Sequence, residues 1–273
     1  MKIYKINEIL KELEDSIQKK RPWNLIRFGD GGCKAIHSLI FNDRQQLLAI
    51  CKREGFPENK IIEIFELWGK YARNANFIDC PGVYYMPDIF WGKYKKGLKS
   101  ISEKTKERMI MWKDLYSRAE FDNERYCNPE INYLSCLRRP NKKNILDLLE
   151  NKKICCISTY KEINKKIPFN ITPFQIVGHF ENQYKNSFEK VIDFIKKEAN
   201  NYDIFLISAG ELGRIYTGYI KECGGRAFDF GFMIDYWQTG KFTSRLLNFI
   251  KPNPKNKFEF ILNENGLKYD KFL

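Results

Sequence analysis

From residue 145 onward, short apolar runs alternate with amphipathic helical stretches, and few architectures accept that order. A helical stretch at 145–150 leads to the run Lys153–Ser158, and a further short helix leads to Phe174–Val177. Residues 182–200 then place Phe188, Val191, Ile192 and Ile195 on one helical face. The most apolar run, Tyr202–Ser208, is followed by a glycine-bearing turn, a helix to 222 and a strand at 226–230. Runs that are apolar throughout, with no polar alternation, belong in strands buried on both faces, and intervening helices make such strands parallel. The chain opens in the same way. Ile6, Ile9, Leu10, Leu13 and Ile17 predict a helix, Pro22 ends it, and Asn24–Phe28 forms a short buried strand entering a Gly-Asp-Gly-Gly turn. Helices are expected near 32–40, 43–54 and 58–73. The fold class is therefore α/β, a Rossmann-like, mostly parallel sheet flanked by helices.

The stretch of about 80–145 departs from this pattern. Residues 84–98 mix aromatics with Lys93, Lys95, Lys96 and Lys99, a helical pattern covers 101–120, and a polar loop runs from Asn128 to Pro140. It reads as a helical and irregular subdomain inserted into one domain spanning 1–273.

Composition removes several classes. A content of 43% hydrophobic and 15% aromatic residues excludes global disorder. No apolar run approaches the roughly 20 residues a membrane span needs, and Met1–Lys5 opens no secretory signal. The cytoplasm is the expected location, with the inner face of the membrane as a variant of it. The eight cysteines form no C-x-x-C pair and only His37 and His179 could assist them, so no zinc motif is present. Reduced, mostly buried thiols are expected. The net charge of +13 is diffuse, +7 in residues 1–150 and +6 in the remainder. Such a field favours anionic partners: nucleotide diphosphates, an acidic membrane surface or nucleic acid.

In open α/β sheets, ligands bind beyond the carboxyl ends of the strands, and two such ends carry unusual turns. At Arg27-Phe28-Gly29-Asp30-Gly31-Gly32, the glycines allow close backbone approach and expose N–H groups to phosphate oxygens. Asp30 there suits a hard divalent cation bridging a diphosphate, or alternatively caps the next helix. Arg27 can pair with the same phosphates. The second turn, Ser208-Ala209-Gly210-Glu211-Leu212-Gly213-Arg214, follows the most apolar strand, and Gly210 and Gly213 open a helix N-terminus fit for anions. Asp229, at the end of the next strand, can contact a ribose hydroxyl or a catalytic water, or serve only as a turn aspartate.

The segment Ile26-Arg27-Phe28-Gly29-Asp30-Gly31 resembles the R-F-G-D-G-E signature of the GT-D fold glycosyltransferases of bacterial glycan and glycoprotein biosynthesis. Residues 208–237 are also similar to that family's C-terminal block: the Gly-x-x-Gly turn, Tyr216, Lys221, Gly224-Gly225, then Asp229-x-Gly231-x-x-x-Asp235-x-Trp237. The resemblance implies transfer of a sugar from a nucleotide-sugar, commonly a UDP-sugar, to a glycan, protein-linked or lipid-linked acceptor. It implies Asp30 and Asp229 as catalytic groups, and donor binding by Arg27, Gly29, Gly31, Ser208, Gly210, Gly213, Arg214 and Asp235. Mn²⁺ or Mg²⁺ at Asp30 is implied too, but Gly32 stands where the family's metal-binding glutamate belongs. Asp229 or Asp235 could supply the missing ligand; otherwise Arg27 and Arg214 neutralise the diphosphate without metal.

Two other classes compete: another nucleotide- or S-adenosylmethionine-dependent transferase, and a non-catalytic basic protein that binds glycan or nucleic acid. Nucleic acid is the less expected partner. The segment Phe90-Trp91-Gly92-Lys93-Tyr94-Lys95-Lys96 suits peripheral membrane contact, a lipid-linked acceptor or single-stranded nucleic acid, or is a solvated loop.

Overall fold

The structure, a computed structural model, describes residues 2–27, 43–79, 125–127, 131–177, 183–241 and 250–262. The first half comprises β1 (Lys2–Tyr4), α1 (Ile6–Gln18), β2 (Trp23–Ile26), α2 (Arg44–Glu54), α3 (Ile61–Arg73), β3 (Phe77–Asp79), β4 (Arg125–Cys127), α4 (Ile131–Leu134) and α5 (Ile145–Leu149). The second comprises β5 (Ile154–Ser158), β6 (Ile171–Gln175), α6 (Gln183–Glu198), β7 (Ile204–Ser208), α7 (Gly213–Glu222), β8 (Arg226–Asp229), α8 (Phe232–Thr239), β9 (Ile250–Pro252) and β10 (Phe260–Leu262). Among the described residues β1 to β8 make one sheet in the order β1-β4-β3-β2-β8-β7-β5-β6, with every neighbouring pair parallel. The expected α/β class is what forms.

Successive strand side chains point to opposite faces, and both faces are buried. Cys155 and Ile157 of β5 and Phe205 and Ile207 of β7 join a core with α2, α3, α6 and α7. Their neighbours Ile154, Cys156, Ile204 and Leu206 join a second core with α1, α4, α5 and α8. This explains why the β5 and β7 runs are apolar without alternation. On the first face α3 and α7 pack closely because Gly218 has no side chain; a Cβ there would stand 2.2 Å from Cγ of Tyr71.

Against the second face, β9 and β10 form an antiparallel ribbon. Its anchor is Glu259, buried and bonded by Arg138, by Asn144 Nδ2 at 3.0 Å and by Asn253 Nδ2 at 2.9 Å. Burial works to raise the Glu259 carboxyl, but these hydrogen bonds prevail and hold it below its usual 4.5.

Three expectations need correction. β6 lies at Ile171–Gln175, earlier than Phe174–Val177, because it is the sheet's outer strand and pairs with β5 alone, where Pro173 is tolerated and apolar content is not required. On α6, Val191 and Ile195 are buried as expected, but Phe188 and Ile192 are only partly covered. The range 80–145 is not wholly an insertion. Arg125–Cys127 is an inner strand between β1 and β3, and Ile131, Leu134, Ile145 and Leu149 lie in the second core. Three residues are too few to show a period, so that strand could not be read. Residues 80–124 and the helix expected at 32–40 lie outside the described residues. Cys51, Cys127, Cys136, Cys155, Cys156 and Cys223 are free thiols, all buried except the half-buried Cys223. No helix among the described residues is long and apolar enough to cross a membrane.

Candidate functional site

Parallel pairing brings the carboxyl ends of β3, β2, β8 and β7 to one edge in that order. The helices described after β2 pack on one face and α8, after β8, on the other. The gap between β2 and β8 is thus a switch point, where open α/β sheets hold ligands.

Arg27, directly after β2, is the centre of what gathers there. Its N–H donates to Asp229 Oδ2 at 3.3 Å, and its carbonyl accepts from Arg214 Nε at 2.8 Å. Its guanidinium Nε lies 3.8 Å from Oδ2 of Asp79, whose side chain is wholly buried at the end of β3. Arg214 occupies the first turn of α7, forms an ion pair with Glu211, and lies over the Trp68 ring at 5.0 Å. The N–H groups of Phe230 and Gly231 both donate to Ile207 O, folding the chain after β8 back over β7. Gly231 there has φ +48°, and a Cβ on it would stand 2.0 Å from Arg27 Nη1. The positive φ favours glycine there, and a side chain would push the end of the Arg27 guanidinium aside.

Asp229 is 6% exposed. Burial raises its carboxyl above the ordinary range, against the opposing charges of Arg27 and Arg214 and the N–H groups of Arg27 and Gly231. A Cβ on Gly213, at the start of α7, would lie 3.9 Å from Asp229 Oδ2, so the helix N-terminus stands beside this acid. Ser208 ends β7 opposite Ser158 of β5, and Gly210 (φ +52°) opens the turn that Gly213 closes.

The expected site residues Arg27, Gly213, Arg214 and Asp229 therefore come together. The carboxyl ends of β2 and β7 lie at one edge, as expected from their place in a parallel sheet. Gly29, Asp30, Gly31 and Gly32 lie outside the described residues, as does the Phe90–Lys96 segment. Asp235 takes a different place. On α8 it accepts a hydrogen bond from Tyr160 Oη at 2.9 Å, and it has no part in the Arg27 network among the described residues. Burial raises its carboxyl, with the Tyr160 hydrogen bond opposing.

Asp79, Glu211 and Trp68 were not singled out from the sequence. Glu211 stands three residues before Arg214 on one helical turn, a spacing that signals an ion pair. Asp79 offered a weaker sign, a carboxylate closing an apolar run. Nothing local marks Trp68. Among the described residues, no three His, Cys, Asp or Glu side chains stand together as metal ligands.

No family model matches the chain, and no curated protein is similar to it in sequence. Solved structures do match in shape. One is a selenomethionine-substituted structure of domain of unknown function 1792, with a TM-score of 0.51 and 14% identity over 100% of this chain and 94% of that one. A second, described as showing that this domain has a distinct glycosyltransferase fold, aligns at a TM-score of 0.51 and 13% identity, covering 100% and 94%. A third, a new glycosyltransferase (DUF1792) from Streptococcus sanguinis, aligns at 0.50 and 14% identity, covering 100% and 97%. The chain has this glycosyltransferase fold. At such identities the likeness carries the architecture alone, and within that glycosyltransferase fold the Arg27–Asp229–Arg214 network lies at the carboxyl edge of the sheet.

Proposed function

We propose that the chain is a glycosyltransferase that moves a sugar from a UDP-sugar to a glycan, glycoprotein or lipid-linked acceptor. The observation that supports this most is the hydrogen-bonded network of Arg27, Asp229 and Arg214 at the switch point of a glycosyltransferase fold. In the reaction the C1–O bond to the diphosphate breaks and UDP leaves with the electron pair. The acceptor oxygen bonds to C1 and releases its proton.

Arg27 and Arg214 would stabilise the departing charge as positive groups fixed at the sheet edge by their own partners. They face Asp79, Asp229 and Glu211 within their own network, so net charge alone does not draw in a diphosphate. Backbone N–H groups of the Gly29–Gly31 and Gly210–Gly213 turns carry part of the binding. A divalent cation fits the described residues poorly, because Asp229 and Asp79 already face Arg27. We therefore place donor binding on the protein's own donors, with weak metal dependence, and leave Asp30 as the one group of that turn suited to a cation.

Thermal unfolding with UDP, UDP-sugars, GDP and S-adenosylmethionine, each with Mn²⁺ and with chelator, tests the reading. A UDP-sugar at 100 times its dissociation constant should stabilise by about 2.7 kcal/mol. No response to any uridine nucleotide, with steeply salt-dependent binding to a polyanion, would overturn it in favour of a non-catalytic basic protein.

A further inference from the structure

Phe232 is 58% exposed, and it is the one exposed aromatic ring among the described residues. It makes no ring contact there, whereas the rings around it, Phe228, Phe230 and Trp237, are buried and pack together. Its position is the first of α8, directly after the Gly231 that lies under the Arg27 guanidinium. Asp235 follows three residues later, on the same side of the helix. The half-buried Asp235 carboxylate has one hydrogen-bond partner among the described side chains, the Tyr160 hydroxyl, which occupies Oδ1. No described cation balances it. The loop bearing Tyr160 is fixed to α8 by Asn164 Nδ2 donating to Trp237 O at 2.8 Å and Gln238 Nε2 donating to Glu162 O at 2.8 Å.

An uncompensated carboxylate repels a diphosphate, so this corner does not suit the phosphates that the Arg27 side accepts. A ligand rich in hydroxyl donors with one apolar face suits it on both counts. The ring offers a stacking surface, and a carboxylate accepts hydrogen bonds only. We propose that Phe232, Asp235 and Tyr160 form a pyranose-binding subsite beside the phosphate edge, with Phe232 under the sugar's C–H face and Asp235 accepting from its hydroxyls. This rests on the glycosyltransferase reading only for its purpose. The sugar is either the donor's own or the acceptor's terminal residue, and both share the chemistry.

The test compares the natural chain with Phe232→Ala and Asp235→Asn by titration calorimetry against UDP, UDP-hexoses and methyl glycosides. Each substitution should weaken sugar-dependent binding about tenfold, the scale of one lost ring contact or charged hydrogen bond, and leave UDP affinity unchanged. A loss confined to UDP-hexoses assigns the subsite to the donor, and a loss confined to methyl glycosides assigns it to the acceptor. Sugar binding unchanged in both variants, or UDP affinity falling equally, overturns the proposal. So does a natural chain that binds no saccharide in either form. A natural chain that binds methyl glycosides but no uridine nucleotide would sink the proposed function and leave the subsite standing.

Discussion

At the scale of single residues, the Arg27 network depends on what surrounds the guanidinium more than on the arginine itself. Gly231 is the test of this. Its φ of +48° is strained for any other residue, and a Cβ would collide with Arg27 Nη1. Gly231→Ala is expected to destabilise by about 1–3 kcal/mol and to displace Arg27, weakening UDP binding beyond what the stability loss explains. Urea midpoints and nucleotide titration on one preparation separate the two effects, and unchanged UDP affinity would remove Arg27 from donor binding. Asp30 stands in a different position. As a turn aspartate it contributes at most a cap's worth of stability, about 0.5–2 kcal/mol. As the organiser of a diphosphate it controls rate. Asp30→Ala should therefore abolish transfer while the unfolding midpoint moves little, and near-normal turnover would return Asp30 to capping.

Elements are held by a few side chains whose chemistry can be tested. The ribbon of β9 and β10 is tied to the body through Glu259, whose carboxyl lies below its usual 4.5. A folded value below the unfolded one adds stability that is complete above the unfolded value and is lost as pH falls through the folded one. Glu259→Gln should cost about 1–3 kcal/mol at neutral pH, and the gap to the natural chain should close below about pH 4.5. A pH-independent gap in urea unfolding would mean that the carboxylate's charge plays no part. On the opposite face, Gly218→Ala should separate α3 from α7 at Tyr71 and cost about 1–3 kcal/mol by overpacking. Since Trp68 of α3 lies over Arg214 of α7, the same change should lower nucleotide affinity.

For the whole molecule, metal dependence and the spread of charge each lead to a measurable expectation. If Gly32 removes a ligand, chelator should change UDP-sugar affinity little in the natural chain, while Gly32→Glu should make it respond to Mn²⁺. Strong Mn²⁺ dependence in the natural chain would show that other acids complete the site. The charge of +13 is spread along the sequence, so it should hasten association with anions at low salt without creating a defined polyanion site.

The sequence by itself determined the class of fold, because strands apolar on both faces and helices with one apolar face permit little besides a covered parallel sheet. It also marked Arg27, Gly213, Arg214 and Asp229, because glycine-bearing strand ends have a recognisable local chemistry. Only the tertiary structure decided the rest. β1 and β4, each of three residues, are strands because neighbours complete their hydrogen bonds. Asp79 and Trp68 join the network through contacts with residues far along the chain. Asp235 leaves that network because Tyr160, 75 residues away, meets it on α8. Local pattern records which face a residue buries, and it carries no record of which distant side chain will meet it there.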